Sequence, residues 1–334
     1  MTSTIRYLSA ADVLAAMPPV AERLILAERT MVALVDDAEL PPKLGVHPRP
    51  PGSFAHAMPA LLRPRDGGLD DDLLGLKWVT GVPDNRSRDL PAIHATVLLS
   101  DPATGAPRAI LDGGPITALR TAAVSGVAIQ RFRPMIGGRA TRAVIIGDGV
   151  QCRSHLEVLG HVVPGVEVAI VDRHPDRAAG LVAEARATAG IGGATAVPPD
   201  AAQEATRRAD IVVTAASFTD PAHRQSMDDA WFAPDALVVP VDYATMCAAS
   251  VAAGAALFLV DERGQFLANR DAGQFDGYPD PGATLGEAIL AGTRRPADGR
   301  VVVTHLGVGL ADVIFGAAIL DRAEAAGHGT VLHR

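Results

Sequence analysis

The 334-residue chain is 48% hydrophobic, which suits a large core and more than one domain and excludes a disordered segment. Its net charge of −8 leaves no basic excess for a phosphate backbone, and aromatics at 4% offer no base-stacking platform, so a nucleic-acid partner is not expected. Two cysteines, Cys152 and Cys247, are too few for a disulfide framework or a cysteine-based zinc site, and no metal is expected.

The opening M-T-S-T-I-R-Y-L-S lacks the apolar centre of a signal peptide, so a cytoplasmic protein is expected. Ser9 caps a first helix. A second helix follows Pro18-Pro19 to about Val35, with Leu24, Ala27, Met31 and Leu34 on one face. Phe54–Leu62, Gly75–Val79, Ala92–Leu99 and Pro107–Leu111 read as strands, and Thr117 is expected to cap a helix reaching Phe132. This part reads as α+β with a mixed or antiparallel sheet. The R-P-M-I-G-G-R loop after Phe132 marks a boundary, beyond which strands and helices alternate as in a doubly wound parallel sheet. Strands are expected at Arg142–Ile146, Val166–Val171, Ala194–Val197, Ile211–Ala215, Leu237–Pro240, Ala256–Val260 and Val301–Thr304. Capping boxes are expected at Asp200/Gln203 and Thr284/Glu287. The uncharged run Tyr243–Val260 is rich in small residues and follows Pro240 and Asp242, which fits a buried helix and strand better than a membrane span. The last helix, about Ala311–Ala326, is expected to pack back on the first domain.

The stretch A-V-I-I-G-D-G-V-Q, Ala143–Gln151, has the form of a buried strand running into a phosphate-binding turn. Gly147 and Gly149 permit a tight turn and close backbone approach, and the helix that follows presents unpaired N–H groups. Alone this is also how a plain glycine turn reads. Asp172 supplies the context: it ends the next strand, 23 positions past Gly149, where an acid accepts hydrogen bonds from ribose hydroxyls and repels an extra phosphate. NAD is therefore expected ahead of NADP, although Arg173 is able to accommodate the second. Val150, Gln151, Thr121, Thr214, Ala215 and Ser217 complete the expected cofactor contacts. Cys152 holds the third glycine position as a small packing residue.

Only Lys43 and Lys77 of the 30 basic residues are lysine. Lys77 sits inside an apolar strand, where it is either paired or snorkelling from a strand edge. Arg120 is placed in the first turn after Thr117, a poor position for helix stability and a good one for holding a carboxylate; a surface arginine is the alternative. Asp242 follows a buried strand at the sheet edge where doubly wound folds place their sites, and also where an acid simply caps a helix.

Together, G-L-K-W-V-T-G-V-P-D-N, L-P-A-I-H-A-T-V-L-L-S-D-P-A-T-G-A-P, I-T-A-L-R-T-A-A, G-D-G-V-Q and L-G-V-G-L-A-D resemble the ornithine cyclodeaminase/mu-crystallin family over nearly the whole chain. The resemblance implies a homodimer with a substrate and dimerisation domain (residues 1–132 plus 306–334) and an NAD-binding Rossmann domain (133–305). It implies that Lys77 and Arg120 hold a substrate α-carboxylate and that Asp242 serves as acid/base. Two positions depart from the family. Where cyclodeaminases carry a Glu near the substrate amine, this chain has His56, and the upstream carboxylate-binding Arg has only Lys43 and Arg49 as shifted candidates. Loss of a fixed anion weakens the case for a diamine substrate. The expected activity is NAD(H)-dependent oxidoreduction at the CH–NH bond of a small α-amino acid or its imine. The alternatives are a cyclodeaminase forming proline from ornithine, and a non-catalytic, crystallin-like NAD(P)-binding protein.

Overall fold

The computed structural model describes residues 4–217 and 219–333. The chain opens with β1 (Thr4–Leu8), α1 (Ala10–Ala15) and α2 (Val20–Asp36). Ser9 caps α1 through a reciprocal box with Asp12, and Pro19 precedes α2. There follow β2 (Ala38–Glu39), β3 (Leu44–Val46), β4 (Phe54–Leu62), β5 (Leu73–Gly81), β6 (Ile93–Ser100) and β7 (Pro107–Asp112). Along β5 the burial alternates, with Gly75, Lys77 and Val79 inward and Trp78 outward, as a half-covered sheet requires.

Helix α3 spans Gly113–Phe132, four residues earlier than expected from its Thr117 cap. The Asp112 side chain takes the capping role by accepting from the Gly114 N–H at 2.9 Å, while Thr117 lies inside the helix and bonds back to the Gly113 carbonyl at 2.6 Å. Glycine and proline conceal the start, because Gly113-Gly114-Pro115 reads as a loop. A glycine is required at 113, where a Cβ would meet Ala95 at 2.8 Å. Arg120 is therefore well inside the helix, away from the positive end of the dipole that a first-turn position would have set against it.

Two compact units divide the chain, Met1–Arg120 with Gly307–Arg334, and Thr121–Leu306; the division falls within α3 rather than at the loop after Phe132. The second unit contains β8 (Arg142–Ile146), α4 (Val150–Val162), β9 (Val166–Val171), α5 (Pro175–Ala187), β10 (Ile191–Val197), α6 (Ala202–Arg207), β11 (Ile211–Thr214) and β12 (Leu237–Pro240). It continues with α7 (Ala249–Ala253), β13 (Leu257–Val260), α8 (Arg263–Asp271), β14 (Ala283–Thr284), α9 (Leu285–Leu290) and β15 (Val301–Thr304). Its sheet is parallel throughout, in the order β10-β9-β8-β11-β12-β15-β13-β14. The order reverses at β8, so right-handed connections wind the helices onto both faces and open a crevice at the carboxyl ends of β8 and β11. β11, β12 and β15 are buried at every residue, which explains their unbroken apolar sequences. The Thr284/Glu287 capping box is present. The Asp200/Gln203 box is not: a short 3-10 turn at Pro199–Ala201 intervenes and α6 starts without a side-chain cap. Tyr243–Val260 folds as a turn, α7 and β13. No helix among the described residues is long and apolar enough to cross a membrane.

The chain then returns to the first unit with α10 (Gly309–Ala326) and β16 (Thr330–His333). That unit's mixed sheet runs β16-β1-β7-β6-β5-β4-β2, with β3 paired to β4; β1 and β7 are parallel and the other pairs antiparallel. α10 covers one face. Gly309 lies against the Met58 backbone, and a Cβ at Gly75 would meet Val313 at 2.8 Å. This packing leaves the β3 end of the face, with Phe54 and His56, beyond the first turn of α10.

Candidate active site

In the first unit the site begins with strand parity. Lys77 shares the inward face with Gly75 and Val79, so its amine enters the interior instead of snorkelling from an edge. It is 2% exposed, and Nζ donates to Asp312 Oδ1 at 3.1 Å. Arg120 Nε reaches the same oxygen at 3.3 Å, and its residue is 5% exposed. Asp312 is 0% exposed and lies in the first turn of α10, where the helix N-terminus favours a carboxylate. The Arg120 guanidinium rests on Gly307, where a Cβ would come within 2.6 Å of both Nη atoms; Gly307 also holds φ +78°. A glycine is needed there on both counts.

Asp312 had no assigned role at the sequence level, although it ends the L-G-V-G-L-A-D motif. The available signal was its setting, a lone acid in the apolar helix G-L-A-D-V-I-F-G-A-A-I-L, since a buried acid requires a cation. Two cations and one carboxylate leave a single positive charge buried in this cluster. Burial, opposed by Asp312 and reinforced by the charges of Arg120 and Lys43, pulls the Lys77 amine down to about 8.

His56 lies on the same sheet face. It pairs with Val79 of β5 while Met58 pairs with Lys77, making His56 and Lys77 diagonal neighbours. Its ring stacks on Phe54 at 4.7 Å and sits over Gly45 of β3, whose Cβ would be 3.1 Å from the ring. Burial first, then the charges of Lys43 and His47, hold its titration below the ordinary histidine value. Arg49 is in the exposed loop after β3.

In the second unit, Gly147 takes φ +112°, and a Cβ there would meet the Ala215 carbonyl oxygen at 2.8 Å. Gly149 is the N-cap of α4 with no side-chain cap, so the first-turn N–H groups lack a side-chain acceptor. The Cβ direction of Gly149 is open, with nothing within 4 Å. Val150 is exposed and Gln151 half-buried. Cys152 is fully buried against this turn and its thiol is pushed up to about 12, so it packs and does not act as a nucleophile. Asp172 follows β9, with Oδ1 accepting from the His174 N–H at 2.8 Å, and Arg173 is exposed beside it.

Asp242 is 2% exposed and is not a helix cap, since α7 starts only at Ala249. It braces the segment after β11: Thr214 Oγ1 donates to Oδ1 at 2.9 Å and the Ala216 N–H to Oδ2 at 3.0 Å. Burial outweighs these bonds and raises its carboxyl to about 7. Tyr243, next in the chain, holds a left-handed φ of +59°. Thr121 and Thr214 are buried, Ala215 half-buried and Ser217 exposed.

A buried polar chain that the sequence did not disclose adjoins the α4 turn. His155 Nδ1 is 2.6 Å from the Gln151 carbonyl, His155 Nε2 is 2.8 Å from Ser125 Oγ, and that hydroxyl is 2.9 Å from His305 Nε2. Burial lowers His155 to about 4, so its ring is neutral near pH 7. The carbonyl only accepts, which fixes the proton on Nδ1. Ser125 then donates to His155 and accepts from His305 Nε2–H.

A family model described as the ornithine cyclodeaminase/mu-crystallin family matches residues 10–246. The chain belongs to this family. It is 34% identical to the nodulation efficiency protein NfeD of Rhizobium meliloti over 338 residues, covering 99% of each chain. Over 268 residues it is 29% identical to a Delta(1)-pyrroline-2-carboxylate reductase of Bacillus cereus, covering 77% of this chain and 80% of that one. Among solved structures, the Thermococcus litoralis Delta(1)-pyrroline-2-carboxylate reductase in complex with NADH and L-proline superimposes with a TM-score of 0.82 at 26% identity, over 98% and 99% of the two chains. An archaeal alanine dehydrogenase dimer with bound NAD gives 0.83 at 24% identity over 99% of each, which supports the fold.

Proposed function

We propose that this member of the family is an NAD(H)-dependent oxidoreductase that interconverts a small α-imino acid and its amino acid. The observation that carries the reading is the charge balance at Lys77, Arg120 and Asp312. A buried excess of one positive charge is costly unless an anion completes it. A substrate α-carboxylate completes it, with the Arg120 guanidinium offering a planar fork of donors and Lys77 a compact charge. The likeness to a reductase bound to NADH and L-proline supports the same chemistry.

The second unit fits the dinucleotide. Gly147 and Gly149 form the turn, the uncapped start of α4 at Val150 and Gln151 offers N–H groups for a pyrophosphate, and Asp172, at the end of β9, is the acid assigned to the ribose hydroxyls. NADH, when bound, supplies hydride for Cα while one proton goes to nitrogen, leaving NAD⁺ and the amine. Asp242 is the residue assigned to that proton: its carboxyl, raised to about 7, exists in both forms near neutrality, and Thr214 and Ala216 fix its orientation. The same acid organises the 214–217 segment expected to line the cofactor.

Two further assignments go with this reading. A homodimer is supported by the outward sheet face around Trp78, which is 43% exposed. A reducing, cytoplasmic setting is supported by two free, buried cysteines. The purified protein with NADH and Δ1-pyrroline-2-carboxylate should form proline mole for mole with NADH oxidised. Proline and ammonia formed from ornithine, with catalytic NAD⁺ and no net NADH, would instead assign a cyclodeaminase.

A further inference from the structure

Asp242 is followed by a residue whose backbone is at odds with its side chain. Tyr243 holds φ +59° and is one of three non-glycine residues with positive φ among the described residues. It is the second residue of a four-residue turn, Asp242–Thr245, closed by the Thr245 N–H donating to the Asp242 carbonyl at 3.1 Å. A turn with positive φ at that place ordinarily carries glycine, asparagine or aspartate, because a left-handed backbone crowds a larger side chain. A tyrosine stays there only if its contacts offset that preference.

Those contacts lie on two sides. The Tyr243 ring stacks on Phe275, with centroids 5.8 Å apart and planes inclined by 25°. Its hydroxyl donates to the Leu306 carbonyl at 3.4 Å. β12 and β15 pair at Leu237–Val301 and Val238–Val302; beyond those residues two hydroxyls join the strand ends, Thr304 Oγ1 on the Pro240 carbonyl at 3.0 Å and Tyr243 on Leu306. The loop after the turn is fixed separately. Gln225 N–H donates to the Thr245 carbonyl at 3.0 Å, Met227 N–H to the Met246 carbonyl at 2.8 Å, and the Tyr278 hydroxyl to the Cys247 carbonyl at 2.8 Å. With residues 245–247 pinned, a change of hand at Tyr243 turns Asp242 instead, and its carboxylate leaves Thr214 and Ala216.

We propose that Tyr243 is a positioning residue: its ring, docked between Phe275 and the Leu306 carbonyl, imposes the left-handed turn that aims the Asp242 carboxylate at Thr214 and Ala216. The inference rests on Asp242 as the acid of the proposed reduction and adds the residue that sets its direction.

The test separates backbone from bulk. Tyr243→Ala removes the ring and keeps a Cβ, which disfavours the left-handed form; Tyr243→Gly removes more of the side chain yet adopts either hand freely. The difference corresponds to about tenfold in the population of the left-handed turn. With Δ1-pyrroline-2-carboxylate and saturating NADH, kcat should fall at least about tenfold in Tyr243→Ala and recover about tenfold in Tyr243→Gly. Tyr243→Phe keeps the stack and should stay within about threefold of the wild type. The upper limb of the pH profile should move down toward the ordinary aspartate range in Tyr243→Ala, as the carboxyl turns out of its buried place, and return in Tyr243→Gly. Cys152, Cys247 and Tyr278 feel the Asp242 charge but are held protonated by burial, so the limb belongs to Asp242. A ring that only fills space gives the opposite order, since glycine leaves the larger void. Glycine no better than alanine, or Tyr243→Phe as impaired as Tyr243→Ala, overturns the inference. Melting scans verify that each variant is folded; should Tyr243→Ala not be, Tyr243→Leu takes its place.

If the wild type reduces no imine, the pH dependence of melting decides, each protein being compared with its own Asp242→Asn counterpart between about pH 4 and pH 7. A difference that varies with pH in the wild type and Tyr243→Gly and is flattened in Tyr243→Ala supports the positioning role and puts the failure in the reaction assigned. A difference that does not set Tyr243→Ala apart from the other two overturns it.

Discussion

Asp312→Asn perturbs the buried cluster at its centre. Removing one partner of a buried ion pair ordinarily costs about 3–5 kcal/mol, because the other charge is stranded. Lys77 has an escape. Burial pulls its amine down to about 8 in the folded protein, so at pH 7 shedding the proton costs only on the order of 1 kcal/mol. That caps the lysine's share of the loss. Arg120 keeps its charge at any accessible pH, so the total at pH 7 is expected near 3 kcal/mol, to about a factor of two. The cap has a pH signature. Wherever the wild-type lysine is protonated and the variant's is not, the folded wild type binds one more proton, and its stability advantage grows as pH falls. Between pH 8 and pH 6 the gap should widen by about 1.4 kcal/mol per unit. Urea unfolding followed by circular dichroism across that range reads it directly. A gap that stays constant with pH refutes the premise that Asp312 holds the Lys77 proton in place.

The other outcomes concern the second unit. Gly149→Val places its side chain in open space at a negative φ of −72°, so melting should be nearly unchanged while NADH affinity, read by fluorescence titration, falls at least about tenfold; unaltered affinity would remove the turn from the cofactor site. Asp172→Ala should reduce the preference for NADH over NADPH by about tenfold, since the acid repels the added phosphate; an unchanged preference assigns Asp172 to its turn with His174 alone. Asp242 is raised above the ordinary aspartate value, so the folded protein binds its proton more tightly than the unfolded chain and this group's stabilisation is lost as pH rises from about 4 to about 7. Imine reduction should decline through the same upper limb, and Asp242→Asn should abolish the limb and lower kcat by about 10²–10⁴. An intact pH profile in Asp242→Asn would leave the residue as a brace for Thr214 and Ala216.

The strands that form the second unit's centre were legible because they are buried on both faces and read as unbroken Val/Ile/Leu runs between glycine turns. β1, β3 and β16 were not: they are short strands of mixed sequence, β3 and β16 at sheet edges, and β1 and β16 are defined by pairing with each other across nearly the whole chain. The start of α3 was hidden by Gly-Gly-Pro, whose local preference opposes a helix that tertiary packing imposes at Gly113. Lys77 and Arg120 were legible as residues out of place, a lysine in an apolar strand and an arginine read at a helix start, although the helix in fact begins at Gly113 and Arg120 lies inside it. Their common partner was not, since no spacing rule links residue 77 or 120 to residue 312. The His155–Ser125–His305 chain escaped for the same reason: each residue alone is an unremarked polar side chain, and only the fold brings the three within hydrogen-bond distance.

The reaction proposed is hydride transfer to Cα of an α-imino acid whose carboxylate is held at Lys77 and Arg120. It is tested most directly with NADH deuterated at C4, by mass spectrometry of the amino acid formed from Δ1-pyrroline-2-carboxylate or from a 2-oxo acid with ammonium. Deuterium is expected at Cα in step with the labelled NADH oxidised, with the yield collapsing in Lys77→Met. Tight NADH binding without label transfer to any of these imines would contradict it.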